Sequence, residues 1–428
     1  MKTSLKTSLL SFTALTFLTI GCGKLDPAQT VDGNVKARGD LNSSLTWTDV
    51  LEQDLAILLP RDEGEGIKAT MKTASGARLL SQKWLDVVSE AYLSTDVESA
   101  FEDENRQEEW AVVAIRVAPC SPMGHQPGQQ AQHFCWPELR LVWQPVLYDF
   151  TPPWGTVPFF SYSDDRAIHA LYRVYADGAQ TQSDEVIRAM TDAIQSGRGI
   201  SDELNERFNA LRDSAVNSIL TQVVALRQQG VADAAYKQVD MRIETMGEYE
   251  DRMAFYERLG SMLSVYAEPN RLHALTSFSL PEGRNPAITD IWVFLAFDGL
   301  DGFLIQKSIE VVSPKSGQVL VDLGTAETVP AVGADQRVLD VIEQGTDAGN
   351  ELADQVLTTR ADRERLSDKI NDPNQTLVPN TSCATCHAFN DLTFNFHNLS
   401  YFEELDLTVA KRVRNDVLYD LEWLRAGP

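Results

Sequence analysis

Cations are scarce in this chain. Its 428 residues carry 37 lysines and arginines against 62 aspartates and glutamates, a formal net charge of -25. A surface so acidic repels phosphate backbones and anionic lipid head groups, which excludes nucleic acid as a partner and favours solubility or a basic partner protein. After residue 21 no apolar run is long enough to span a bilayer. There is no internal repeat, no phosphate-cradling glycine loop and no Gly-x-Ser-x-Gly elbow, so nothing signals nucleotide binding or serine hydrolysis. Methionine stops at Met262, cysteines number five and histidines six. With 43% apolar residues the chain can still bury a sizeable core, and its length allows two or three domains.

Two of the few cysteines stand three positions apart with a histidine directly after them, in Cys383-Ala384-Thr385-Cys386-His387. That is the pattern of covalent c-type haem attachment, in which each sulfur takes one vinyl group and the imidazole ligates iron. On one helical turn both sulfurs lie along one porphyrin edge, and the next residue can bring its ring nitrogen over the metal. Three other readings stand beside it. The two thiols could close a local disulfide or act as a thioredoxin-like redox pair, but Asp372-Pro373-Asn374 and Val378-Pro379-Asn380 precede them, a loop context rather than a strand opening a helix. Zinc wants a second ligand pair, and no further cysteine follows. At these residues the chain resembles c-type cytochromes, and the resemblance covers this short motif alone. It implies one covalent haem c, attached through Cys383 and Cys386 and ligated by His387.

The opening residues address the compartment. Lys2 and Lys6 precede an apolar run through Leu9, Leu10, Phe12, Leu15, Phe17, Leu18 and Ile20, the pattern of a secretory signal over residues 1–21. The stretch Leu18-Thr19-Ile20-Gly21-Cys22 resembles a bacterial lipobox, with Thr19 where leucine is usual. That resemblance implies cleavage before Cys22 and lipid on Cys22, and Gly23 rather than aspartate after it points to the outer membrane, facing the periplasm. An ordinary signal peptide with Cys22 unmodified is the alternative. Either way the chain is exported to the compartment where c-type haem is attached, and the lipid is its one membrane contact. Cys120 and Cys135 then remain as a pair, expected to be joined in an oxidising compartment across a loop that holds Pro122, Gly124, Pro127 and Gly128. Met123, His125 and His133 in that loop offer copper ligands, or Met123 a haem ligand, with solvated loop residues as the plainer reading.

Patterning predicts an α+β fold of mixed helices and antiparallel strands, followed by a short, mainly helical haem-binding segment. Residues 22–46 read as a lipidated cysteine and flexible tether, 47–366 as an α+β domain and 367–428 as the haem-binding segment. Trp47, Leu51, Leu55 and Leu58 are spaced as one helix face ended by Pro60, and Lys83 to Leu93 also reads as helix. Trp110 to Val117 and the alternating run from Leu139 to Pro145 read as paired strands, with a proline-rich loop from Tyr148 to Ser163. Ser183 and Ser201 are expected to cap two helices, the second striped by Leu204, Phe208, Leu211, Ala215, Ile219, Val223 and Leu226. Glu248 to Val265 suggests another helix. Ile291 to Phe297, Phe303 to Val312 and Val319 to Leu323 suggest a meander, whose Asp298, Asp301 and Asp322 read as turn formers rather than calcium ligands. Asn350 to Ile370 returns to helix. Val409, Val413, Val417, Leu421 and Leu424 form the stripe of a last helix, with Trp423 as core.

Because no methionine follows the motif, the His/Met ligation of common small cytochromes c cannot be completed locally. His397 is ten residues on, and ten extended residues reach about 33 Å, enough to round the macrocycle. Ligation by His387 and His397 together is therefore feasible, against His397 as a loop residue that leaves the iron five-coordinate or ligated from the larger domain. Phe389, Phe394, Phe396, Tyr401 and Phe402 supply apolar cover. The expected activity is one-electron transfer to a periplasmic redox partner, and the acidic surface favours a basic one. An open distal site would instead allow peroxidase-like or small-gas chemistry with His397, His169 or His273 as acid or base. A binding or structural lipoprotein is the third reading.

Overall fold

The computed structural model describes residues 46–59, 72–73, 76–93, 105–123, 134–149, 160–163, 166–196, 198–230, 249–279, 292–306, 320–322, 368, 371–374 and 411–427. Cys22, His125, His133, Cys383, Cys386, His387 and His397 lie outside the described residues, as does nearly all of the expected helix from Asn350 to Ile370.

Among the described residues nine strands make one sheet. They are β1 Ala56–Leu58, β2 Trp110–Pro122, β3 Cys135–Asp149, β4 Phe160–Ser163, β5 Ala167–Arg173, β6 Leu272–Ser279, β7 Trp292–Leu300, β8 Phe303–Gln306 and β9 Leu320–Asp322. Seven lie side by side in the order β1-β2-β3-β5-β6-β7-β8, each antiparallel to its neighbours. β4 pairs with the far end of β3, and β9 runs parallel to β7. The helices are α1 Glu52–Leu55, α2 Gln82–Leu93, α3 Gln180–Gln195, α4 Asp202–Gly230, α5 Tyr249–Tyr266 and α6 Lys411–Ala426. The expected α+β class with antiparallel strands is the class observed. Among the described residues no helix is long and apolar enough to cross a membrane.

β2 and β3 form the hairpin expected from their β-branched and alternating runs. Register pairs Ile115 with Leu141 and Val117 with Leu139 on one face, and Arg116 with Arg140 on the other. Leu139, Leu141 and Trp143 are fully buried. The Cys120–Cys135 disulfide closes the hairpin near its loop, with Cα atoms 4.8 Å apart, an ordinary disulfide separation. In α4 the Ser201 hydroxyl accepts the Leu204 amide at 3.2 Å, the expected cap, and Phe208, Ala215, Ile219, Val223 and Leu226 are buried along the expected stripe. α5 continues through Gly260 because Phe255, Tyr256, Leu259, Met262 and Leu263 bury its flanks, and packing outweighs propensity.

Four expectations change. The stripe from Trp47 to Leu58 is not one helix: a 3-10 turn at Trp47–Asp49 and the short α1 give way to β1, whose backbone pairs with Ala114 to Arg116. Edge pairing to β2 satisfies those amides, and the apolar spacing cannot distinguish that from helix. Ser183 does not cap α3. The helix begins at Gln180 and the Ser183 amide bonds to the Ala179 carbonyl at 2.9 Å, after Gly178 turns the chain at a φ of +71°. Phe160–Ser163 is a strand rather than loop. The meander is a hairpin, β7–β8, joined to a parallel strand, β9. Asp301 and Gly302 form that hairpin's two-residue turn with φ of 49° and 81°, the primed geometry that asparagine, aspartate and glycine tolerate. Asp301 is thus a turn former, as expected.

Next to that hairpin, Gly299 leaves no room for a side chain: a Cβ there would lie 2.7 Å from the Leu272 carbonyl carbon on β6. Gly299→Ala is expected to lower the free energy of unfolding by about 1–3 kcal/mol, as overpacking does. At Gly199 nothing lies within 4 Å, so Gly199→Ala should shift stability by no more than about 0.5 kcal/mol. Denaturant midpoints of the two variants check this.

Candidate functional site

Strand alternation assigns the second face of the sheet to charged residues. Arg116 on β2, Glu138 and Arg140 on β3, Arg173 on β5, His273 on β6 and Asp298 on β7 all border one cleft of about 410 Å3. That volume is within the usual range for small-molecule sites. Ala118, Met123, Trp136 and Leu171 add apolar wall, α3 contributes Thr191, and α6 closes one side with Arg412, Asp416, Tyr419 and Asp420. The Trp136 indole donates to the Val174 carbonyl at 2.8 Å and packs edge-on against Phe208 of α4.

Glu138 is the hub of the sheet side. It accepts from Arg140 Nη2 at 3.1 Å, and His273 Nε2 approaches its other oxygen at 2.9 Å. Arg140 also donates to the Ser121 hydroxyl at 3.0 Å. Burial works to raise the Glu138 pKa, but His273, Arg140 and Ser121 outweigh it and hold the carboxyl well below the usual carboxylate range. It therefore stays ionised in the fold.

The helix side is organised around Asp420. Its carboxylate pairs with Arg116, which also donates to the Leu55 carbonyl at 3.3 Å and to the Val117 carbonyl. Burial pushes the Asp420 pKa up to about 6; Arg116 opposes this and Asp416 adds to it. Arg412 Nε holds Asp416 at 2.9 Å one turn along α6. At the other end of α6, Trp423 stacks on Trp47 with centroids 5.3 Å apart, and the Arg212 guanidinium lies 5.3 Å from the Trp423 centroid. Trp423 is buried, as expected for core.

Both borders of the motif-bearing stretch 375–410 are at this cleft. Pro373 lines it from one side and Arg412 from the other. The Asn415 side chain donates to the Asn371 carbonyl at 2.7 Å, and Lys411 meets Asp368 at 2.9 Å, so the two borders are fastened together.

His169 lies on β5 opposite Val142 and Thr276. Burial, helped by Arg140, lowers its pKa to about 4, so it is neutral at ordinary pH and suits a structural histidine. His273 is at the cleft. Met123 is in the cleft wall and partly buried. Among the described residues no group of three or more His, Cys, Asp or Glu side chains is placed to hold a metal ion. Sequence reasoning missed Arg116, Glu138, Asp416 and Asp420. The alternation of Arg140 with Leu139 and Leu141 was visible, yet alternation alone cannot separate a solvated face from one roofed by a distant helix.

Asp420 and His169 pull the pH dependence in opposite directions. The Asp420 pKa is raised from 3.8 to about 6, so the fold holds its proton more tightly and stability declines as pH rises through that window. The His169 pKa falls from 6.5 to about 4, so the unfolded chain binds the extra proton and stability increases over much the same window. Asp420→Asn should therefore steepen the rise of stability with pH between about 4 and 6, read from denaturation midpoints across that range.

Compared with known proteins, the chain matches no family model, no curated protein and no solved structure, so its function rests on the motif and on this cleft.

Proposed function

We propose that this chain is an exported, lipid-anchored c-type cytochrome with one haem, which carries single electrons to a partner protein. The observation that carries the reading is Cys383-Ala384-Thr385-Cys386-His387, whose spacing suits two thioether bonds and one axial ligand. The Cys120–Cys135 disulfide supports it, since such bonds persist in the oxidising compartments where haem c is attached. Haem bound there would supply one-electron chemistry by cycling iron between its ferric and ferrous states.

The cleft suits such a group. A porphyrin is apolar over its faces and carries two carboxylates on one edge. The cleft offers apolar wall at Met123, Trp136 and Leu171 beside the Arg173 guanidinium, while its Arg116, Arg140 and Arg412 are paired with the lining carboxylates Asp420, Glu138 and Asp416. In this reading Cys383 and Cys386 hold the group covalently, and His387 and His397 ligate the iron. Cys22 carries the lipid, and the acidic surface steers a basic redox partner.

A second reading, a haem enzyme or small-gas sensor, draws on the His273–Glu138 pair at the cleft. A histidine nitrogen 2.9 Å from a carboxylate is the kind of pairing that acid–base chemistry uses.

Absorption spectra of the exported chain, oxidised and reduced, test the first reading. A Soret band with a sharp reduced α band is expected, and its absence would return Cys383 and Cys386 to thiol chemistry. Cys383→Ala or Cys386→Ala should abolish or severely reduce covalent haem, seen by haem staining on a denaturing gel. His397→Ala should convert a six-coordinate spectrum to a five-coordinate one; an unchanged spectrum places the sixth ligand elsewhere. Peroxide turnover that His273→Ala suppresses would favour the second reading.

A further inference from the structure

We propose that the end of β5 and the start of β6 form an oxyanion-binding position, made by Arg173 and Arg271 around Tyr175, for the acidic group of a small molecule lying in the cleft. This goes beyond the cytochrome reading and does not depend on it. The register of the sheet brings the two cations together. β5 and β6 pair Tyr172 with Leu272, and one step further Arg173 closes β5 while Arg271 stands immediately before β6. Like charges at neighbouring cross-strand positions repel.

Tyr175 is the group that both of them meet. The Arg173 guanidinium reaches its phenol oxygen, and the Arg271 guanidinium carbon lies 5.6 Å from its ring centroid. Tyr266, at the end of α5, has its ring centroid 6.0 Å from the same guanidinium. Two rings thus hold Arg271 in place, but neither supplies an acceptor. Its Nε and Nη1 are buried, and among the described residues they have no hydrogen-bond partner. Buried charged donors are costly to leave unpaired. Arg116, Arg140 and Arg412 are each paired with a carboxylate, whereas among the described residues Arg173 and Arg271 have none. Asp184 is the carboxylate at this position, and it accepts the Tyr175 hydroxyl at 2.6 Å without an ion pair to either arginine. In a chain with a net charge of -25, two guanidinium groups are therefore left with one carboxylate beside them. An incoming oxyanion supplies both the missing acceptor and the missing charge.

The cleft gives this position access and sets the size of its ligand. Arg173 lines the cleft, and so does Trp136, whose ring centroid is 6.5 Å from that of Tyr175. A volume of about 410 Å3 suits a small molecule, with Trp136 and Leu171 as apolar wall beside Arg173. Asp298 lines the same cleft from β7, two strands from Arg173 in the sheet, and would repel a second acidic group there. The ligand class is thus a small molecule with one acidic group, a carboxylate or a phosphate.

The full chain tests this with inorganic phosphate and acetate as probes, each compared with chloride at matched ionic strength and read as the shift of the denaturation midpoint with anion concentration. Phosphate, or phosphate and acetate both, should raise the midpoint of the unmodified chain. Arg271→Gln and Arg173→Gln should each weaken the apparent affinity roughly tenfold, as loss of a charge-assisted contact implies. The general effect of phosphate on burial persists in both variants, so only the part of the shift that they remove counts as binding. A shift confined to phosphate upholds the position with a phosphorylated ligand, and a shift with acetate as well upholds it with a carboxylate. No shift beyond that in chloride, or the same shift in the unmodified chain and both variants, overturns it and leaves the cytochrome reading as it was. Should Arg271→Gln fail to fold, Arg173→Gln decides alone.

Discussion

Everything in the described fold depends on β3 having two unlike faces. Along Cys135–Asp149 successive side chains point to opposite sides of the sheet, so Leu139, Leu141 and Trp143 are committed to apolar core while Glu138 and Arg140 are committed to the cleft. A slip of one residue would drive both charges into the core, at a cost far above what any single contact returns. The disulfide close to the hairpin loop and the pairs on both sides of β3 hold the register that keeps the two sets apart.

Charges on the second face are stable because they are assembled into a network rather than left singly. Glu138 pairs with Arg140 and stands 2.9 Å from His273, Asp420 pairs with Arg116, and Asp416 pairs with Arg412. Removing one member of such a set strands its partner, which is where the large energies lie. The network also joins distant parts of the sequence: Arg116 and Asp420 are brought together by nothing local, and their pairing locates α6 over the sheet. The side chains of that network also line the cleft, together with Arg173.

Much of this was legible beforehand, and for definable reasons. The β2–β3 hairpin, α4 with its Ser201 cap and the last helix announced themselves through local periodicity and cap chemistry. Cys120 with Cys135 followed from cysteine arithmetic once export was assumed. What could not be read was non-local. Residues 56–58 look helical until β2 supplies an edge, and Ser183 looks like a cap until Gly178 starts the helix earlier. Glu138 and Arg140 look solvated until α6, more than half the chain away, roofs them. The motif at Cys383 and Cys386 was clear as chemistry, whereas the cleft beside its borders became apparent only when β2, β3, β5 and α6 were placed together.

The stacking of Trp47 on Trp423 has a mechanical meaning. Trp47 is in the first described turn of the chain, yet its ring bears directly on α6, and its indole donates to Asn217 of α4 at 2.5 Å. A pull applied at Thr46 is therefore loaded first onto α6 and α4, across the ring stack and the indole hydrogen bond, before it reaches β1. Because α6 also closes one side of the cleft, that wall is the part of the body such a pull would disturb earliest.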